Sequence, residues 1–317
     1  MGASGNDVAA ETADLIVEAE PQIAPASRDF RIGKEHGVGS GSLREKARDN
    51  IRAIRTLKLV EGEGREATPE EKAELVRYCG WGALPNVFHP YPGPDWRDLA
   101  VEVREILTER EYDSARGSTP NAHFTSPMVI ESIWRALNRL GLAQCSQILE
   151  PSMGVGHFFG LTPEALLQGC RRTGVELDAI TARIAKQLYP DAVIFEGGFE
   201  EIRLPDGFFD AVVGNIPFGN YRVFDPEYKG SPVTRSIHDY FMAKGIDKLR
   251  PGGVMAIVTS RYTLDKRDST IRRYLADRAD LIGAIRLPNT AFRANAGTAV
   301  TTDVLFLEKR APGRSPG

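Results

Sequence analysis

The sequence predicts an α/β protein: a doubly wound, mostly parallel sheet of seven strands behind an N-terminal helical extension. Three observations carry this. From about residue 146 onward, short apolar runs alternate with helical patterns at the spacing of βαβ units. The clearest run, Ala211 to Val213, is Val-rich without polar alternation, as a strand covered on both faces must be. Upstream, apolar residues recur at three- and four-residue steps, so that part reads as helical.

The bulk numbers narrow the class. Hydrophobic residues make up 42% and charged ones 26%, ordinary for a soluble globular chain. At 317 residues there is room for one large α/β domain and an extension. A net charge of −3 gives no global case for a nucleic-acid partner, so any such contact must use a local basic face. Cys79, Cys145 and Cys170 are scattered and odd in number. That argues against a disulfide framework and a zinc site, and for a reducing cytoplasm. No apolar run approaches the ~18 residues of a membrane span, and no signal peptide pattern opens the chain, so no membrane partner is expected.

Taken in order, residues 1–27 are rich in Ala, Glu, Ser, Gly and Pro and read as a disordered tail, a short helix over residues 9–19 being the alternative. Residues 28–121 read as a helical accessory region. Leu43, Ala47, Ile51, Ile54, Leu57 and Val60 form one stripe on a helix capped by Ser42. Thr68-Pro69-Glu70-Glu71 opens a second helix with a cap, Pro in the first turn and an acid three positions on. A third covers roughly residues 96–110. Trp81, Phe88 and Trp96 read as the core of this unit rather than as a stacking platform. Beyond residue 122 strands are expected at 146–150, 173–177, 192–195, 209–213, 254–259, 281–287 and 303–307. Helices are expected at 163–170, 180–188 and 237–249. Residues 311–317 read as a linker or tail, so the chain is expected to come from something longer.

The chemistry concentrates at strand ends. Asn215-Ile216-Pro217-Phe218 follows the fourth strand, where open α/β folds keep their ligands. An amide oxygen and a backbone carbonyl can accept from an exocyclic amine while the ring stacks on the base. A turn plugged by a hydrophobic residue explains the six residues from Gly214 to Gly219 equally well. After the first strand, Glu150-Pro151-Ser152-Met153-Gly154-Val155-Gly156 places an acid at the strand tip before a glycine turn. It is neither the dinucleotide fingerprint nor a phosphate-binding P-loop, and Glu150 suits an ammonium or sulfonium better than a pyrophosphate. Glu176, at the tip of the second strand, stands where an acid can accept from both ribose hydroxyls. Arg261, Lys266, Arg267, Arg272 and Arg273 form either a basic rim beside the pocket or a solvated helix face. His157 and His238 have no metal constellation around them, and no metal is expected.

In this order, His123-Phe124-Thr125-Ser126-Pro127, Glu150-Pro151-Ser152 with Gly154, Gly156 and Phe158, Glu176, and Asn215-Ile216-Pro217-Phe218 resemble the S-adenosylmethionine-dependent N6-adenine DNA methyltransferases. The resemblance covers roughly residues 122–309 and implies their Rossmann-like seven-stranded methyltransferase sheet, in a domain spanning 122–310. It implies that Phe124, Thr125 and Pro127 close over the methionine end of S-adenosyl-L-methionine. Glu150, Ser152, Gly154 and Gly156 would form the loop beneath it, Glu176 would hold the ribose, and Phe199 and Glu200 would lie near the adenine. Asn215, Ile216, Pro217 and Phe218 match the catalytic motif. DNA is the implied partner. Upstream, Asn50-Ile51, Thr68-Pro69-Glu70-Glu71 and Tyr78-Cys79-Gly80-Trp81-Gly82 are similar to the amino-terminal part of large phage and mobile-element methylase-helicase proteins, which implies a fused or associated helicase. Two positions depart from the family pattern. Ile216 replaces the usual Pro, implying a less rigid loop, and Gly198 stands where an acid usually precedes the aromatic. A methyltransferase for RNA or a protein amide, or an idle cofactor-binding module, therefore stays open.

Overall fold

The computed structural model describes residues 27–119, 124–144, 146–167, 169–289 and 301–314. The expectations for residues 1–26, His123, Cys145 and the last three residues lie outside them.

Helices α1 (Leu43–Gly62) and α2 (Pro69–Leu75) come first. Both start in capping boxes: the Ser42 and Thr68 hydroxyls accept from the Glu45 and Glu71 amides, and each carboxylate reaches back to the cap amide. The single helix expected over 96–110 is instead two, α3 (Arg97–Ile106) and α4 (Glu109–Ser118). Leu107 is extended, and Thr108 opens α4 with its own capping box to Glu111. Trp81 and Phe88 are buried and meet edge to face at 5.2 Å.

Strand β1 (Gln147–Glu150) follows helix α5 (Pro127–Arg139). Then come the short helices α6 (His157–Gly160) and α7 (Glu164–Leu167), strand β2 (Arg171–Glu176), α8 (Ala179–Leu188), β3 (Val193–Glu196) and β4 (Phe209–Asn215). Helix α9 (Ile237–Lys248) leads into β5 (Leu249–Ser260), and α10 (Tyr262–Asp265) and α11 (Thr270–Ala276) precede β6 (Ala279–Arg286) and β7 (Thr302–Lys309). The seven strands form one sheet in the order β3-β2-β1-β4-β5-β7-β6. All neighbours are parallel from β3 to β5, whereas β7 is antiparallel to both β5 and β6. The order reverses between β1 and β4, which makes that boundary the switch point where such sheets leave a crevice at their carboxyl ends.

β5 begins five residues earlier than the apolar pattern suggests, because Leu249 pairs with Phe209 before a register shift brings Val254 opposite Ala211. That irregularity absorbs Pro251 and the two glycines after it.

The helical region packs directly on the sheet layer. One apolar cluster joins Ile51, Ile54, Leu57, Leu75 and Trp81 to Met153, Val155, Ile180, Ile184 and Tyr189. Polar contacts lock the same interface. The Arg172 guanidinium on β2 forms a buried ion pair with Asp29. Arg183 on α8 reaches both Glu61 and Glu111. Among the described residues no helix is long and apolar enough to cross a membrane.

Candidate active site

At the switch point, the carboxyl ends of β1, β2 and β4 open into a cavity of about 830 Å³, within the roughly 300–1,000 Å³ of small-molecule sites. Glu150 is the last residue of β1, Glu176 the last of β2 and Asn215 the last of β4. Parallel pairing of Leu149 with Val212 puts Glu150 level with Val213, two residues before Asn215, so both strands end on the same edge. All three line the cavity, with Phe124, Thr125, Ser152, Gly154, Phe199, Glu200, Ile216, Pro217 and Phe218. Pro127 and Gly156 do not. Pro127 begins α5, its missing N–H costing nothing there. Gly156 takes φ 82° ahead of α6, and a Cβ there would lie 2.5 Å from the Tyr189 ring.

The turn after β1 is held from β2. The Glu176 carboxylate accepts from the Gly154 amide at 2.8 Å and from the Asp178 amide at 2.9 Å. Gly154 is left-handed at φ 57°, and a Cβ on it would meet the Phe124 ring at 3.2 Å. That close approach lets the segment before α5 lie over the turn. Thr125 is buried, and its hydroxyl has no hydrogen-bond partner among the described residues.

The two acids sit in an apolar setting. Burial pushes the Glu150 carboxyl well above the usual carboxylate range, and the neighbouring Glu176 adds to this. Glu150 Oε2 is buried and finds no hydrogen-bond partner among the described residues. Burial likewise pushes Glu176 up to about 7, the amides of Asp178 and Gly154 pulling in the opposite direction. His157, packed edge-on to Phe124 at 5.1 Å, is pushed down to about 4 by burial and is therefore a neutral wall residue. Glu150 thus stands buried without a hydrogen-bond partner for Oε2 among the described residues, whereas Glu176 is held by two backbone amides. Among the described residues no group of three or more His, Cys, Asp or Glu could hold a metal ion.

The two departures from the expected motif have structural counterparts. The Ile216 amide donates to the Val258 carbonyl at 3.1 Å, extending the β4–β5 ladder one residue past Asn215, and its side chain is buried in the core. A proline could not make that bond, so the strand ladder supplies the rigidity that the ring would have given. At Gly198 the space for a side chain is already taken: a Cβ would stand 2.5 Å from Glu200 Oε1. Glu200 thus brings a carboxylate to the place that an acid at 198 would fill. Phe199 itself is nearly all core, its ring tilted against Phe241 at 5.1 Å.

Several wall residues escaped the sequence reading. Tyr78, Gly80, Ser114, Gly117 and Ser118 come from the helical region, so that region forms part of the cavity. Ser114 donates to Asp178 at 2.8 Å, joining α4 to the turn after β2. From the other side, Lys244 on α9 donates to the Phe199 carbonyl at 2.8 Å and to Asp225 at 2.9 Å. The basic set after β5 does not line the cavity: Lys266 is committed to Asp239 and Arg272 to the Thr263 carbonyl, while Arg261, Arg267 and Arg273 are exposed.

Residues 97–315 match the N-6 DNA Methylase family. The chain belongs to that family. The chain is also 31% identical over 221 residues to the Defense against restriction protein B of Escherichia phage P1. That match covers 68% of this chain but only 9% of the phage protein, so the chain spans under a tenth of that relative's length. Among solved structures, one assigned to the class I S-adenosylmethionine-dependent methyltransferases of Listeria monocytogenes superposes with a TM-score of 0.55 at 16% identity, over 86% of this chain and 90% of that one. The methyltransferase subunit of a type I restriction-modification system from Streptococcus thermophilus gives 0.54 at 16% identity, over 90% and 68%. At those identities the likeness is one of fold, the Rossmann-like methyltransferase sheet.

Proposed function

We propose that this N-6 DNA methylase chain transfers a methyl group from S-adenosyl-L-methionine to the N6 amine of adenine in DNA. The observation that supports this most is the pairing across the switch point: Glu150 ends β1, Asn215 ends β4, and both face one cavity. The buried, unpartnered Glu150 Oε2 and Thr125 hydroxyl are polar atoms that a ligand with an ammonium and a carboxylate would satisfy. The missing Cβ of Gly154 lets the Phe124 ring lie over the turn beside these atoms.

Under this reading Phe124, Thr125, Glu150, Ser152 and Gly154 hold the methionine part of S-adenosyl-L-methionine. Glu176 takes the ribose, and the 199–200 segment borders the adenine. Pro127 and Gly156 hold those segments in place. When bound, the cofactor supplies an electrophilic methyl group on its sulfonium. The protein supplies orientation. Asn215 Oδ1 and the Ile216 carbonyl accept the two N–H bonds of the target amine, which favours a pyramidal nitrogen with its lone pair free to attack. Pro217 stiffens the turn, and Phe218 stacks on the extruded base. Extrusion costs a few kcal/mol, and one aromatic stack returns roughly 1–3 kcal/mol of it. No cysteine among the described residues lines the cavity, so attack on a pyrimidine carbon has no nucleophile there.

The larger setting we infer is a modification module carried by a bigger restriction or anti-restriction protein, with DNA and a fused or associated helicase as partners. Calorimetric titration with S-adenosyl-L-methionine, followed by tritiated methyl transfer to unmethylated DNA, tests the reaction. The expected result is saturable binding and label recovered as N6-methyladenine. Binding without label in DNA, or label only in RNA or protein, would contradict it.

A further inference from the structure

The chain just after the catalytic motif alternates between anchored and exposed residues. Val223 is 7% exposed, and its amide donates to the Thr234 carbonyl at 2.9 Å. Asp225 is 3% exposed and is gripped from three sides. Lys244 donates to it at 2.9 Å, the Tyr240 hydroxyl at 2.6 Å, and the Glu227 amide at 2.9 Å. Between these two pinned residues Phe224 is 78% exposed. Tyr221 and Arg222 are also exposed, and all three line the cavity that holds Asn215 and Phe218. The Tyr221 ring covers Gly219, where a Cβ would lie 2.4 Å from it. Arg222 enters no ion pair among the described residues.

One exposed aromatic on a surface is ordinary. Phe224 differs because its backbone is fixed on both sides by buried contacts, and because it stands at the rim of a pocket read as receiving an extruded base. Lifting a base out of a duplex leaves an unstacked step, and apolar side chains inserted at such steps stabilise the distorted helix. We propose that residues 221–225 form a DNA-contact strap, in which Phe224 stacks against the base step opened by the departing adenine and Arg222 meets an adjacent phosphate. This rests on the proposed reaction and adds the surface that engages its substrate. Glu200 and Glu227 share the same cavity wall. Local charge therefore does little to attract phosphates, and stacking carries most of the strap's contribution.

The test is fluorescence anisotropy of the 317-residue chain with a labelled duplex in which one adenine faces an abasic site. Phe224→Ala should weaken binding about five- to a hundredfold, the usual cost of losing one aromatic stack. Phe224→Trp should retain binding, and its emission above the wild-type signal should fall when DNA is added, since Trp81 and Trp134 are buried and Trp96 lies outside the cavity wall. Arg222→Ala should lower the salt dependence of binding by roughly one phosphate contact. Because Phe224 is mostly exposed, its variants should melt with the wild type, and affinity for S-adenosyl-L-methionine should not change. Three results would each overturn the strap and leave the reaction standing: Phe224→Ala binding within twofold of wild type, emission of the Phe224→Trp variant left unquenched by DNA, or an equal loss of cofactor affinity. A wild-type chain that binds no DNA yet methylates RNA or protein would overturn both.

Discussion

The Glu150 side chain lies against Gly214, one residue before Asn215: a Cβ at 214 would meet Glu150 Cγ at 3.3 Å and Oε1 at 3.7 Å. Gly214 also holds φ +139°, a conformation that L side chains rarely adopt. The acid at the end of β1 and the amide at the end of β4 thus share one tightly fitted junction. Gly214→Ala should therefore lower stability by about 1–3 kcal/mol, from backbone strain and the displaced carboxylate together. Thermal melting reads the first effect. Methyl transfer should fall more than melting alone explains, because Asn215 moves with its neighbour.

Stability should depend on pH through Glu176. Its carboxyl is raised by burial to about 7 in the folded chain, against an ordinary 4.5 when unfolded. The folded protein therefore binds the proton more tightly, and this contribution is complete below about pH 4.5 and lost as pH rises to about 7. Glu176 should account for a loss of about 3 kcal/mol over that window in the ligand-free protein. Urea denaturation at several pH values should show the decline, and Glu176→Gln should make it shallower, the raised Glu150 carboxyl keeping the rest.

The pair of Lys244 and Asp225 should be costly to break singly. Both side chains are 1% exposed, so Lys244→Met leaves a buried carboxylate with only the Tyr240 hydroxyl and the Glu227 amide. A loss of about 3–5 kcal/mol is expected in urea denaturation. Adding Asp225→Leu should recover part of it, since two apolar side chains leave no charge uncompensated. No recovery in the double variant would show that the pair acts through something other than charge balance.

The centre of the sheet was legible because β1, β4 and the end of β5 are buried and read as near-continuous apolar runs, Phe209–Asn215 being the clearest. The misreadings have local causes. The break between α3 and α4 was missed because Arg97–Ser118 is helix-forming throughout, although the Thr108-Glu109-Arg110-Glu111 capping box marked it. The early start of β5 was hidden by Pro251, Gly252 and Gly253, which look like a turn and are accommodated by a register shift invisible to a one-dimensional pattern.

At the cavity, strand-end residues could be picked out because the fold dictates where strand ends go. Ser114 and Tyr78 could not, since only the packing of α1 to α4 on α8 brings them there. Lys244 reads as the polar face of a helix. Nothing in the sequence near it announces Asp225, nineteen residues earlier. The Ile216 departure looked like a loss of rigidity because a missing ring is visible in a sequence and a ladder hydrogen bond to Val258 is not.

The proposal turns on one carboxamide. Tritiated methyl transfer to unmethylated DNA, run beside calorimetry with S-adenosyl-L-methionine on wild type and Asn215→Ala, tests it most directly. The account predicts unchanged cofactor affinity and transfer reduced far below a tenth of the wild-type rate, a barrier increase well above ~1.4 kcal/mol. An Asn215→Ala protein that keeps more than a tenth of the rate would contradict it.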